Sequence, residues 1–121
     1  MIGEFILTLL HAATNTHILH LQSHSYSEHM ALGTFYEELP SLVDSLAEAI
    51  QGDQELIIKY TYDYYQPAET ALEELQSLKQ YVEENRHFSE KTNIQNEIDA
   101  IATLIDSTIS VSYTHLTLPT N

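Results

Sequence analysis

The chain has 121 residues, 43% of them hydrophobic, and its 18 acidic residues outnumber its 4 Lys and Arg to give a net charge of −14. It contains no cysteine, which excludes disulfide scaffolds, cysteine-ligated metal centres and thiol nucleophiles. The length fits one domain, and the scarcity of Lys and Arg argues against nucleic-acid binding, because proteins neutralise phosphates with those residues.

The N-terminal stretch Ile2–Ala13 is apolar and is therefore a candidate signal peptide or membrane span. It is short and has no basic segment before it, so it matches neither a signal peptide nor a membrane span. We therefore predict no membrane association and a cytoplasmic location.

The first helical pattern runs from about Ile2 to Gln22. Its apolar residues recur at steps of three and four, the spacing of one face of an amphipathic helix. His17, His20 and His24 fall on the same predicted stripe as these apolar residues. Because that stripe would face the core, we expect the histidines to point into a helical bundle.

The second helical pattern follows Ser25–Glu28, a capping-box sequence. It continues to about Gln51, where Gly52 is expected to end the helix. Pro40 lies inside the pattern. Because proline cannot donate a backbone hydrogen bond, we predict a kink or a break there.

Two further helical patterns follow an apolar and aromatic segment. The third begins at Pro67, a residue favoured in the first turn of a helix, and ends near Arg86. The fourth begins around Ser89 and carries a stripe of isoleucines. Residues 56–65 have the composition of a strand, but no partner strand is predicted, so we interpret them as a crossover segment or a short helix. The predicted fold is an all-α four-helix bundle with a crossover between helices two and three.

The chain changes character after Ser110. Residues 111–121 have no helical period and no acidic residues, unlike the acidic sequence before them. They resemble a peptide found at the ends of reading frames predicted from shotgun DNA, where sequencing-adapter bases have been translated. We therefore predict a helical domain over residues 1–110 and a non-native tail over residues 111–121, with a native β-rich tail as the alternative.

Histidines and carboxylates concentrate in the first two predicted helices. Asp44 and Glu48 are four residues apart and so share one face of the second helix. His17, His20 and His29 lie close to the turn between the two helices. Imidazole and carboxylate groups together suit iron, manganese or zinc. Satisfied core histidines and a solvated acidic face are the alternative interpretation.

The spacing of His29, Asp44 and Glu48 resembles the second-helix signature of Dps-type mini-ferritins. In that family, a histidine near the helix start and an Asp-x-x-Ala-Glu pair belong to a ferroxidase centre, which a first-helix histidine completes. The resemblance implies a ferritin-like bundle that binds iron or another divalent metal. The implied ligands are His29, Asp44, Glu48 and either His17 or His20, with histidines and carboxylates from different subunits of a homo-oligomer.

The chain is also similar to a group of small phage proteins that share two segments, here Ser25–His29 and Asn96–Asp99. It departs from the mini-ferritin pattern at Gly33, where the family has a carboxylate four residues after His29. Two functions are therefore predicted as alternatives: a metal-binding protein with ferroxidase activity, or a metal-free structural or adaptor protein encoded by a phage.

Overall fold

The computed structural model describes residues 2–61 and 63–117, with the backbone alone for residues 113–117. These residues form four α-helices, and no strand occurs among them. The predicted all-α class is therefore confirmed. The helices are α1 (Ile2–Gln22), α2 (Tyr26–Gln54), α3 (Ala71–Asn85) and α4 (Thr92–Thr117).

The helices surround the core in the order α1, α2, α4 and α3, because α2 packs on α1 and α4 while α3 packs on the same two helices. Short turns make α1 and α2 antiparallel, and likewise α3 and α4. The connection between α2 and α3, residues 55–70, runs along α1 from its N-terminal end towards its C-terminal end. Lys59 lies against Gly3, and Tyr64 donates a hydrogen bond to Asn15. The α3 helix therefore runs in the same direction as α2.

The core takes one buried stripe from α1, and this stripe differs from the predicted one. It runs through Thr16, whose hydroxyl donates to the Ala12 carbonyl at 2.7 Å and is therefore hydrogen-bonded where it is buried. His17 is consequently exposed and His20 only half-buried, while His24 lies exposed in the turn. The prediction that these histidines point into the bundle is wrong. Ile6 and Leu9, which belong to the predicted stripe, are buried as expected. The buried residues of α1 are Gly3, Phe5, Ile6, Leu9, Ala12, Asn15, Thr16 and Leu19.

The predicted start of α2 is confirmed, whereas its predicted end is wrong. The Ser25 hydroxyl accepts the Glu28 amide, as the capping sequence predicts. At the other end, Gly52 lies inside the helix, and Glu55 caps it in a left-handed conformation with φ 52°. The helix also passes through Pro40 without a break, which leaves the Tyr36 carbonyl without its usual helical donor.

The helices α3 and α4 begin later than predicted. Thr70, rather than Pro67, starts α3, because its hydroxyl accepts the Glu73 amide at 3.1 Å and donates to the Glu73 carboxylate at 2.9 Å. Pro67 lies in the crossover segment. The α4 helix begins at Thr92 rather than Ser89.

The turn between α3 and α4 is closed by two side chains. Arg86 Nε donates to Gln95 Oε1 at 3.0 Å, and Gln95 Nε2 donates to the Arg86 carbonyl at 2.8 Å. Arg86 also pairs with Asp99. These contacts hold the start of α4 against the end of α3.

The α4 helix continues beyond Ser110 to Thr117, so the expected end of helical structure at Ser110 is wrong. Val111 is 58% exposed, while the Ser112 side chain is buried. Residues 118–121 lie outside the described residues. The non-native origin of residues 111–121 stays a prediction.

Shortening the chain to end at Ser110 should lower the free energy of unfolding by no more than about 1 kcal/mol. The helix that remains still carries the isoleucines of the core, and the removed Val111 side chain is largely exposed. Thermal and urea denaturation of the full and shortened chains measures the difference. A loss of several kcal/mol would mean that the tail is a native packing element.

No helix in the described part of the chain is long and apolar enough to cross a membrane.

Candidate metal centre

His20 and His29 face each other across the turn between α1 and α2. His20 Nδ1 lies 2.6 Å from the His29 carbonyl oxygen, and His29 Nδ1 lies 2.9 Å from the His20 carbonyl oxygen. The two rings stack with centroids 3.8 Å apart and an interplanar angle of 20°. Because carbonyls only accept, each Nδ1 must donate, which leaves Nε2 of each neutral ring with a free lone pair.

His17 extends this pair into a continuous aromatic group. Its ring stacks on Tyr36 with centroids 4.0 Å apart and an angle of 6°, and it lies 6.2 Å from the His20 ring. The ring centroids of Tyr36 and His20 lie 5.2 Å apart. We call His17, His20 and His29 the histidine cluster. The structure thus brings together all three histidines that the sequence proposed.

Gly33 provides the space that His20 occupies. A Cβ atom at position 33 would lie 3.1 Å from Cε1 and 3.4 Å from Nδ1 of the His20 ring. A larger residue there would require the His20 ring to shift by a few tenths of an ångström. Glycine at position 33 therefore lets the His20 ring lie close to the backbone of α2.

Asp44 and Glu48 lie elsewhere on α2, with both side chains exposed. Asp44 follows His29 by fifteen residues, which corresponds to about 22 Å along a helix at 1.5 Å per residue. The structure therefore does not bring the carboxylates to the histidines within one chain. Across residues 2–61 and 63–112, whose side chains the structure describes, no three His, Asp or Glu side chains converge in a way that could hold a metal ion.

Tyr60, in the crossover segment, lies close enough to Asp44 to be influenced by its charge. Partial burial, together with the Asp44 carboxylate, raises the pKa of the Tyr60 phenol above its usual value. Sequence reasoning did not connect Tyr60 with Asp44, because only the path of the crossover places them together. A cation at Asp44 would be next to this phenol.

His29 and Asp44 nevertheless lie on one face of α2. At 100° per residue, Tyr36, Pro40 and Asp44 all fall within about 60° of His29 around the helix axis. Glu48 lies one turn beyond Asp44, about 100° from His29 around the axis. His29 and Asp44 are thus available to the same neighbouring surface, with Glu48 at its edge.

The model of a protein family, described as a family of unknown function (DUF5856), matches residues 20–111. The matched span contains His20, His29, Asp44 and Glu48, and it begins after His17. No curated protein and no solved structure matches the chain.

Proposed function

The chain belongs to the DUF5856 family, a family of unknown function, and we propose that it binds a divalent transition metal, with Fe(II) as the natural candidate, between two copies of itself. His20 and His29 of one copy, with His17 beside them, would supply nitrogen ligands. Asp44 and Glu48 of the partner subunit would supply oxygen ligands. The alternative metals for such mixed ligands are manganese and zinc.

The reciprocal hydrogen bonds of His20 and His29 are the observation that carries this proposal. A histidine that binds a metal usually donates its other ring nitrogen to a carbonyl or carboxylate, which fixes the tautomer and the ring orientation. Both rings already have that arrangement, at 2.6 and 2.9 Å. The fold therefore orders both rings before a metal binds, so metal binding would cost little side-chain entropy at these two ligands.

A two-fold axis explains how distant ligands can meet. His29 and Asp44 lie on one face of α2, with Tyr36 and Pro40 between them. If two α2 helices pack antiparallel about an axis that passes near Tyr36, midway between His29 and Asp44, each His29 comes level with Asp44 of the partner subunit. Each dimer would then hold two equivalent sites.

The topology supports a ferritin-like version of the bundle. The crossover segment makes α2 and α3 parallel, as in bundles with one long connection. The net charge of −14 also favours cation binding, because a bound metal relieves repulsion among the carboxylates.

The chemistry follows from the ligand types. Neutral imidazoles bind Fe(II) without adding charge, whereas the Asp44 and Glu48 carboxylates stabilise the more highly charged Fe(III). Two Fe(II) ions, as substrate, would each give one electron to hydrogen peroxide, whose O–O bond breaks and which takes up two protons from solvent to leave two Fe(III) and two waters. The proposed activity is therefore iron oxidation.

Purified protein should bind Fe(II) or Zn(II) near neutral pH and should be a dimer or larger by light scattering. Titration calorimetry near neutral pH measures the affinity and the number of sites.

His24→Ala is the matched control for the histidine cluster. His24 is exposed in the same turn but lies outside the cluster, so this variant should bind metal like the wild type. A wild-type protein that binds no divalent metal at neutral pH would overturn the proposal and favour the metal-free structural or adaptor function. A monomer that binds metal would refute the shared site.

A further inference from the structure

A second candidate site lies on the opposite flank of α1, away from the histidine cluster. A cavity of about 360 Å³ opens between α1, α3 and the crossover segment. Its α1 residues, such as Glu4 and Asn15, lie about 140–160° around the helix axis from His17 and His20. The proposed metal centre does not use this cavity.

The wall formed by the crossover is fixed by hydrogen bonds. The Asn15 amide donates to the Tyr65 carbonyl at 2.9 Å and accepts the Tyr64 hydroxyl at 2.8 Å. On the α3 side, Glu74 Oε1 accepts the Ala68 amide at 2.9 Å. These bonds join α1 and α3 to the crossover, so the cavity is formed before a ligand arrives.

The lining combines negative charge with apolar surface. Glu4 and Glu74 contribute carboxylates, and no Lys or Arg occurs among the described residues that line the cavity. Tyr65 and Tyr81 contribute aromatic rings, and Ala12 and Leu78 supply aliphatic surface. Carboxylates together with aromatic rings attract organic cations, by charge and by cation–π interaction.

Tyr81 lines this cavity, and neighbouring groups change the pKa of its phenol. Burial is the main reason that the pKa of its phenol is raised. A hydrogen bond with Thr8 opposes this effect, and the Glu4 carboxylate and Tyr65 raise the pKa by smaller amounts. The carboxylate of α1 and the rings of the crossover and α3 therefore act on one another. A cation bound among them would be attracted to all of them.

We propose that this cavity binds a small organic ammonium ion with an apolar body. The ammonium group would lie between Glu4 and Glu74, and the apolar body would lie against Leu78 and the tyrosine rings. A metal ion would gain little here, because the cavity offers no converging set of ligands among the described residues.

Benzylammonium, benzyl alcohol and benzoate are the probes, since they share one ring and differ in charge. Amide NMR titrations of the full chain, in about 0.15 M salt to screen distant charges and with a chelator to remove metals, give the affinities. Benzylammonium should bind at least about tenfold more tightly than benzyl alcohol, with shifts confined to the cavity residues. Benzoate should not bind.

Glu74→Gln tests the charge without removing the hydrogen bond to Ala68, because glutamine keeps the accepting oxygen. It should weaken benzylammonium binding by about threefold to tenfold, and Glu4→Gln should act in the same direction. Glu84→Gln is the matched control on α3, since Glu84 is exposed and does not line the cavity.

Equal binding of the ammonium ion and the alcohol would overturn the proposal. So would an equal loss in Glu74→Gln and Glu84→Gln, because the cation would then respond to the net charge of the protein rather than to the cavity. Loss in the two cavity variants with an unchanged Glu84→Gln supports it.

Discussion

Two variants that cannot bind metal on their own should recover binding when their subunits are mixed. The first variant, His20→Ala with His29→Ala, lacks the nitrogen ligands; the second, Asp44→Ala with Glu48→Ala, lacks the oxygen ligands. Each alone should bind Zn(II) at least about a hundredfold more weakly than the wild type. In a mixed dimer, the histidines of the second variant meet the carboxylates of the first, so one site is complete and the other is empty.

Random mixing of equal amounts should give about half mixed dimers, and therefore about a quarter of the wild-type sites. Co-refolding followed by titration calorimetry measures this fraction. Glu37→Ala should weaken binding less than Asp44→Ala, and Glu73→Ala on α3 should leave it unchanged. A dimeric mixture that recovers no sites would show that the histidines and the carboxylates do not share a metal.

Folding should respond in opposite ways in the two variants. Removing exposed carboxylates from a chain of net charge −14 should leave the metal-free stability unchanged or slightly higher. Removing His20 and His29 should lower it by about 1–3 kcal/mol, because the hydrogen bonds and the ring stacking between α1 and α2 are lost. Lost binding with intact folding would identify Asp44 and Glu48 as functional rather than structural.

Gly3→Ala should destabilise the protein by about 2–4 kcal/mol. A Cβ atom at position 3 would clash with the Lys59 carbonyl oxygen, which is backbone and cannot rotate away. The crossover would have to shift, and the neighbouring Ile58, which is 5% exposed, would lose part of its burial. Urea denaturation measures the change.

Gly52→Ala is the natural comparison for this substitution. Gly52 also lies in a helix, but its added Cβ would meet nothing within 4 Å. Alanine is the better helix former, so this change should stabilise the protein by about 0.5–1 kcal/mol. Equal effects at the two glycines would mean that the crossover does not rest tightly on α1.

Periodicity and capping residues predicted most of the fold. The bounds of α1 and the Ser25 cap of α2 agree with the sequence analysis, because both depend on local spacing and local hydrogen bonds. The predicted core face of α1 was wrong because the Thr16 hydroxyl donates to a backbone carbonyl of its own helix, so Thr16 can be buried. The spacing of apolar residues had favoured His17 for the core instead. Pro67 was a weaker helix start than Thr70, whose hydroxyl and Glu73 bond reciprocally.

The candidate site was predictable as a set of residues but not as an arrangement. Spacing along the chain identified His20 and His29, yet their reciprocal hydrogen bonds depend on the angle between two helices. The space that Gly33 leaves for His20 is likewise a property of helix packing. The separation of Asp44 from the histidines follows from the length of α2 alone, which is why a second subunit enters the proposal.

The His20–His29 pair also bears on the order in which the chain folds. It joins residues only nine apart, across a three-residue turn, so closing this loop costs little chain entropy. The Arg86–Gln95 pair closes the α3–α4 turn over the same separation. Contacts between residues near in sequence form fastest. The two helical hairpins should therefore form first and then dock through α2 and α4, with the crossover segment settling onto α1 as the two halves meet.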